Sequence, residues 1–244
     1  MIYNSMPRKK KESTATDIAI GGSIFTNVNN VRTEFLIVHK GNPDSNLYDA
    51  SCDGVWLLMK DCYTATTWHH QAYNVYAISD ANTLLNSTAQ GGFLGKLEED
   101  IQNIIKNVKI PYCIGNSSST VNSGANGLPV KVFFLSAVEV GFRTSDIPTS
   151  YDLPVDGVKL AMFDEGIGTT AKAKRIAKMI VAQSYQATRW WLRSPTIWND
   201  EDAYYVSIQG DGAFNGVSIA GYGYRPCFII PYDTKLDANN NIVA

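Results

Sequence analysis

WWLRSPTIWNDEDAYYVS, residues 190–207, decides the fold reading. Six rigid or apolar positions run straight into a polar stretch with no period, and the chain then returns to AYYVS. In a strand successive side chains alternate between faces, so Trp190 and Trp191 point to opposite sides and each must find a large surface to cover it. WWLRSP therefore reads as frame, TIWNDED as what the frame presents, and AYYVS as the next strand. Arg193 and, further on, Arg225 each sit at the edge of an apolar run. There a guanidinium fork can hold several backbone carbonyls or a carboxylate and pin irregular loops. Glu139, within LSAVEVG, is the expected ion partner of one of them.

Working outward, strand signals dominate. FLIVH (35–39), VWLLMK (55–60), VKVFFLS (130–136), AYYVSI (203–208) and CFIIP (227–231) are rich in β-branched and aromatic residues. In FLGKLEEDIQNIIKNVKI, Phe93, Leu94, Leu97, Ile101, Ile104, Ile105 and Val108 recur at spacings of three and four, which predicts one amphipathic helix stopped by Pro111. Shorter helices are expected at about 80–88, capped by Ser79 or Asp80, and at about 170–180. KGNPDSNLYDASCDG and GNSSSTVNSGANGLP (115–129) read as loops. Residues 1–22 are polar, carry a basic cluster from Arg8 to Lys11, and read as a flexible or docking N-terminal arm. Residues 23–244 read as a single α+β domain.

Composition narrows the function classes. The 244 residues hold 45% hydrophobic and 18% charged side chains with a formal net charge of -2. A chain of this length buries roughly 70–75% of the surface it exposes when unfolded. The balance provides no basic field, so no nucleic-acid partner is expected. No apolar run approaches a membrane span of roughly 18 residues, and the N-terminus never reaches a signal-peptide apolar region, so neither membrane insertion nor a signal peptide is expected. Thirteen Tyr and five Trp beside 19 Gly suit either a large aromatic core or a recognition surface of rigid rings among small polar groups. Cys52, Cys62, Cys113 and Cys227 form no CxxC pair and read as buried thiols.

WWLRSP, then AYYV with Gly210 and Gly212, then GYRPCF (223–228) resemble the ending of a large family of phage and prophage proteins that closes on WWLRSP and GxRPAF. FLIVH, WLLMKD with Trp68 and His69, the LLN segment at 84–86, KIPY and VFFLSAVEVG extend the resemblance over about residues 31–232. The family in turn resembles the C-type-lectin-like fold, in the branch shared with formylglycine-generating enzymes and the variable proteins of diversity-generating retroelements. The resemblance implies few helices, short twisted antiparallel sheets and long ordered loops. It also implies that the interval between the two fixed blocks is either an ordinary variable loop or a ligand-binding face. Candidate contacts there are Trp198, Phe214 and Tyr222 as aromatic anchors, with Asn199, Asp200, Asp202 and Asn215 as hydrogen-bonding groups.

The function expected on this basis is non-enzymatic recognition of a cell-surface protein or glycan. Display would be on a virion or tail, reached after cytoplasmic synthesis, with the arm as attachment to the particle or to sister subunits in a possible homo-oligomer. A structural virion component is the alternative. A formylglycine-generating-like enzyme is a second, which would need an oxidisable thiol or copper, and Cys227 within CFII reads instead as packing. No catalytic set, cofactor or metal is expected. WND at 198–200 matches a calcium triplet of sugar-binding lectins, but its companion, Asn42-Pro43-Asp44, lies on the wrong side in chain order, so the match reads as coincidence.

Overall fold

The computed structural model describes residues 13–147, 152–180 and 186–243. Two five-stranded sheets organise them. The first runs, in spatial order, Val132–Phe133, Cys227–Ile230, Val55–Met59, Val31–Lys40 and Ser23–Val28, antiparallel throughout. Two of its three inner strands, VWLLM and CFII, are buried at every position. This explains their unbroken apolar character, since a strand covered on both faces has no polar face to alternate with. Toward the edge, Ser23–Val28 alternates half-buried and buried residues. It turns into its neighbour through Asn29 and Asn30, both at positive φ (52° and 62°), the backbone a two-residue hairpin of matching twist requires.

The second sheet is built around WWLRSP. Trp190–Pro195 pairs antiparallel with Asp202–Val206, which pairs antiparallel with Gly212–Gly216; on its other side Trp190 meets Gly223 in parallel, and Tyr222–Gly223 pairs with Ala65–Thr66. All six residues of WWLRSP are buried. Trp190 Nε1 donates to the Arg175 carbonyl at 2.9 Å, and Trp191 Nε1 to the Thr66 carbonyl at 3.2 Å. The two rings thus serve opposite sides, each with its polar edge satisfied, as alternation along a strand demands.

Among the described residues three short helices complete the α+β fold: α1 (Asp80–Asn86), α2 (Glu99–Ile104) and α3 (Thr169–Arg175). Ser79 caps α1, its Oγ accepting from the Asn82 N–H at 3.1 Å. Three expectations from sequence are corrected. The helix expected over 93–110 is a 3-10 turn at Leu94–Lys96, the short α2, and a strand at Val108–Ile110 paired with Leu128–Val130. The expected loop at 115–129 contains a hairpin, Tyr112–Gly115 with Ser118–Asn122, and then that paired strand. Finally, the arm joins the domain well before residue 23. Ser13–Thr14 pairs with Lys235–Leu236, and Ala15 is fully buried; a backbone that gains ladder bonds and buries a side chain does not stay solvated. Residues 1–12, including the basic cluster, lie outside the described residues.

Candidate functional site

Loops 67–74, 196–202 and 216–221 meet at one end of the second sheet. The Val217 carbonyl accepts from both the Trp68 and His69 N–H at 3.0 Å, the Val217 N–H donates to Glu201, and the Asn74 N–H donates to the Asp200 carbonyl at 2.7 Å. At the centre is Asn74, fully buried. Its Nδ2 donates to the carbonyls of Thr196 (3.0 Å), Asn199 (3.1 Å) and Asp202 (2.8 Å), while its Oδ1 accepts from the Asn116 N–H at 2.7 Å. One side chain so fixes the path of TIWNDED. Nothing in the local pattern singles out Asn74, because its partners are backbone groups more than 40 residues away; only its place after the buried Trp68 is suggestive.

The candidate contacts divide sharply in this setting. Trp198 is 37% exposed and packs edge-on against Phe214 at 5.1 Å between ring centroids. Asp200 and Glu201 are exposed beside it, and Ser218, Ile219 and Ala220 are exposed on the adjoining loop. Asn199 is engaged within its own turn. Its Oδ1 accepts from Thr196 Oγ1 (2.7 Å) and from the Glu201 and Asp202 N–H groups, and its Nδ2 donates to Asp202 Oδ2 at 2.6 Å. Asn199 and Asp202 therefore shape the loop, the usual work of an Asx side chain in a turn. Asn42 and Asp44, of the companion triplet, likewise serve their own turn, the Asp44 N–H donating to Asn42 Oδ1 at 3.1 Å.

Tyr222 is only 7% exposed and stacks between Trp191 and Tyr205, each 4.7 Å away. Asn215 Nδ2 donates to its hydroxyl at 2.8 Å. Tyr222, expected as an aromatic anchor, lines a concavity of about 310 Å³ with Arg189, Ile208 and Ala220. The Arg189 guanidinium lies 5.5 Å from its ring centroid, a cation–π arrangement.

Beneath the site a buried polar network fixes the sheet. Arg193 Nη1 and Nη2 reach the Glu139 carboxylate at 2.5 and 2.7 Å, both residues being fully buried. The same guanidinium donates to the carbonyls of Pro111, Phe134 and Asp156. Glu139 accepts also from Tyr48 Oη at 2.6 Å and the Ser136 N–H at 2.8 Å. Glu139 is thus the partner of Arg193, not of Arg225. A third buried arginine, Arg175, was hidden in the polar run KAKR. It donates to the carbonyls of Gly210, Val140 and Gly166 and stacks on Phe142.

Ligand groups for a metal gather at His69, His70 and Asp80, whose donor atoms lie within 4.8 Å of one another. As arranged, they bond to one another in part. His70 Nδ1 is 2.6 Å from Asp80 Oδ2, and the Asp80 N–H donates to His69 Nδ1 at 3.3 Å. Burial favours the neutral acid at Asp80, but the hydrogen bonds from His70 and the electrostatic influence of the adjoining His69 and His70 outweigh it and hold its pKa below the usual value. His69 Nδ1 and Asp80 Oδ2 are thus already engaged, while His69 Nε2 is buried without a hydrogen-bond partner.

Neither curated proteins nor solved structures provide a match to this sequence. A family model described as "Domain of unknown function (DUF6273)" matches residues 53–232. That span covers both five-stranded sheets apart from the Ser23–Val28 and Val31–Lys40 strands, and includes the three loops of the site. Because the match extends over well over half of the 244 residues, the chain belongs to the DUF6273 family.

Proposed function

We propose that this protein is a non-enzymatic recognition module of C-type-lectin-like architecture, displayed on a phage virion or tail and binding a cell-surface protein or glycan through the 196–222 loops. The observation that carries the reading is Trp198. A large ring is left 37% exposed on a loop whose backbone is pinned from beneath by the buried Asn74. Rigid aromatic anchors on preorganised backbone lose little entropy on binding and dominate interface energetics. Exposed Asp200, Glu201 and Ser218 supply adaptable polar contacts around it, and several copies on one particle would convert modest single-site affinity into avidity. Cys227 argues against the formylglycine-generating alternative. Its thiol is fully buried, and burial pushes its pKa well up, the reverse of what a reactive thiolate needs.

The test separates display from binding. Particles carrying Trp198→Ala or Ile219→Asp are scored for assembly and, independently, for adsorption to host cells. Normal assembly with adsorption reduced roughly tenfold, the scale of a truncated aromatic hot spot, is the expected result. Normal assembly with unchanged adsorption refutes the binding face. Lost assembly points to the structural-component reading, in which these loops are subunit contacts.

A further inference from the structure

A cavity of about 340 Å³, lined by none of the residues of the 196–222 loops, has Arg225 in its lining. Arg225 is 1% exposed. Its Nε donates to the Met59 carbonyl at 2.7 Å and its plane lies 5.0 Å from the Trp190 ring centroid, but Nη1 has no hydrogen-bond partner. The other two buried arginines are satisfied, Arg193 by a carboxylate and three carbonyls and Arg175 by three carbonyls. A buried guanidinium with an idle donor is a costly feature, because the desolvation penalty is met and the compensating bond is not. Burial pulls its pKa down to about 10, with Cys62, Asp61 and Cys227 only partly opposing it. At neutral pH the group is still a cation.

The walls complete the chemistry. Lys60, Lys174 and Lys178 add cationic groups, against one lining carboxylate, Asp61. Lys60 is already paired with Glu34 at 2.8 Å and Lys174 with Asp164 at 2.9 Å. The Asp61 Oδ1 accepts the Lys178 backbone N–H at 2.8 Å, and among the described residues no carboxylate oxygen lies within 4.0 Å of the exposed Lys178 ammonium. Arg225 and Lys178 are therefore the two cations with capacity to spare. Leu36, Met162 and Ile176 give the remaining wall an apolar surface. A concave site of a few hundred Å³, mostly apolar with a few convergent polar groups, has the form of a small-molecule pocket.

We propose that this cavity binds a small organic anion, its acidic headgroup held by the Arg225 guanidinium and Lys178 and its apolar body against Leu36, Met162 and Ile176. The site is separate from the recognition face and stands or falls without it.

Calorimetric titration of the purified full chain tests this with hexanoate, acetate, inorganic phosphate and hexylamine as probes. Saturable one-to-one binding of hexanoate, at least roughly tenfold tighter than acetate for the added methylenes, with no binding of hexylamine, is expected. Lys178→Ala and Ile176→Asp change exposed positions and leave the fold intact. The first should weaken hexanoate several-fold through loss of a charge-assisted contact, and the second should abolish binding by placing a carboxylate in the cavity. Arg225→Lys, checked for folding by circular dichroism, should weaken it roughly tenfold, because an ammonium cannot reproduce the fork. The proposal is overturned if no anion binds at millimolar concentration, if phosphate binds and hexanoate does not, or if hexanoate binds the Lys178→Ala and Ile176→Asp proteins as tightly as the wild type.

Discussion

Arg193 is fully buried yet holds its charge: burial pulls its pKa down, and the carboxylate of Glu139 more than restores it. Such a pair contributes little against a well-packed apolar substitute but is costly to break on one side. Glu139→Gln should therefore destabilise the protein by about 3–5 kcal/mol, read as a lowered urea midpoint with unchanged slope. The Glu139→Leu/Arg193→Met double variant should lose less than the sum of its single changes. Asp156, beneath the same strand, behaves oppositely. It is fully buried and takes its side-chain hydrogen bond from Ser194 Oγ, 2.9 Å from each oxygen. Burial raises its pKa to about 6 from 3.8, against the pull of Arg193 and Ser194. With the folded value above the unfolded one, its contribution is full below about pH 4 and is lost as the pH rises through about 6. Asp156→Asn removes that titration. The stability of the variant relative to wild type should rise by about 3 kcal/mol between pH 4 and pH 7.5 in denaturant titrations, and a flat difference would rule out the assignment. Glu139 was legible in the sequence as an ion partner, since a lone acid inside LSAVEVG demands a cation. Asp156 was not, because an acid beside Pro154 and Gly157 reads as an ordinary turn.

At the scale of elements, long-range pairing decided what local pattern could not. Phe93, Leu94, Leu97, Ile101, Ile105 and Val108 are all buried, so the apolar spacing was correctly identified as a core-facing set. The helix it suggested is nevertheless broken at Leu97 and Glu98, both extended, and again at Ile105. A 3-10 turn, six helical residues and a strand present the same few side chains as one helix would, and pairing with Leu128–Val130 settles the choice. The hairpin at Tyr112–Gly115 and Ser118–Asn122 was hidden for a different reason: its second strand is polar and nowhere fully buried, so no alternation marks it. Its turn places Asn116 and Ser117 at φ 57° and 59° after Gly115 at 74°. Gly115 also lets the hairpin approach the site, since a Cβ there would lie 2.2 Å from the Asn74 carbonyl oxygen. Asn74 couples the hairpin to the WND loop, so its replacement should loosen both. Asn74→Asp keeps the shape but turns an oxygen toward three carbonyls, an unpaired buried acceptor expected to cost more than about 2 kcal/mol. The Asn116 amide, whose acceptor is Asn74 Oδ1, is the monitor. Its hydrogen exchange should quicken in the variant by more than that of amides in the Val55–Met59 strand, and equal change at both would show that Asn74 does not act locally.

For the molecule as a whole, the two sheets share one apolar cluster that includes Ile24 and Ile229 of the first and Trp190 and Val206 of the second. Runs such as VWLLM and CFII announced buried strands because nothing in them could face water, and WWLRSP announced a frame. The way the sheets are joined was not legible, because it depends on arginines, carbonyls and an asparagine whose partners lie far away in the chain. Shared burial implies one cooperative unit, and the four thiols can test it. Cys52, Cys62 and Cys227 belong to the shared cluster, whereas Cys113 is buried in the hairpin outside it. Burial pushes the thiols of Cys52 and Cys62 up to about 12 and that of Cys113 up to about 11. None is therefore a reactive thiolate in the native state at pH 8. Labelling with a disulfide reagent must wait for opening, and when closing outruns reaction its rate reports the free energy of that opening. Cys113 should be labelled first, through local release of the hairpin, with a weak dependence on urea. Cys52, Cys62 and Cys227 should follow together, with the urea dependence of global unfolding. Labelling of Cys227 ahead of Cys52 and Cys62 would mean that the first sheet opens on its own, and the single shared core would have to be divided.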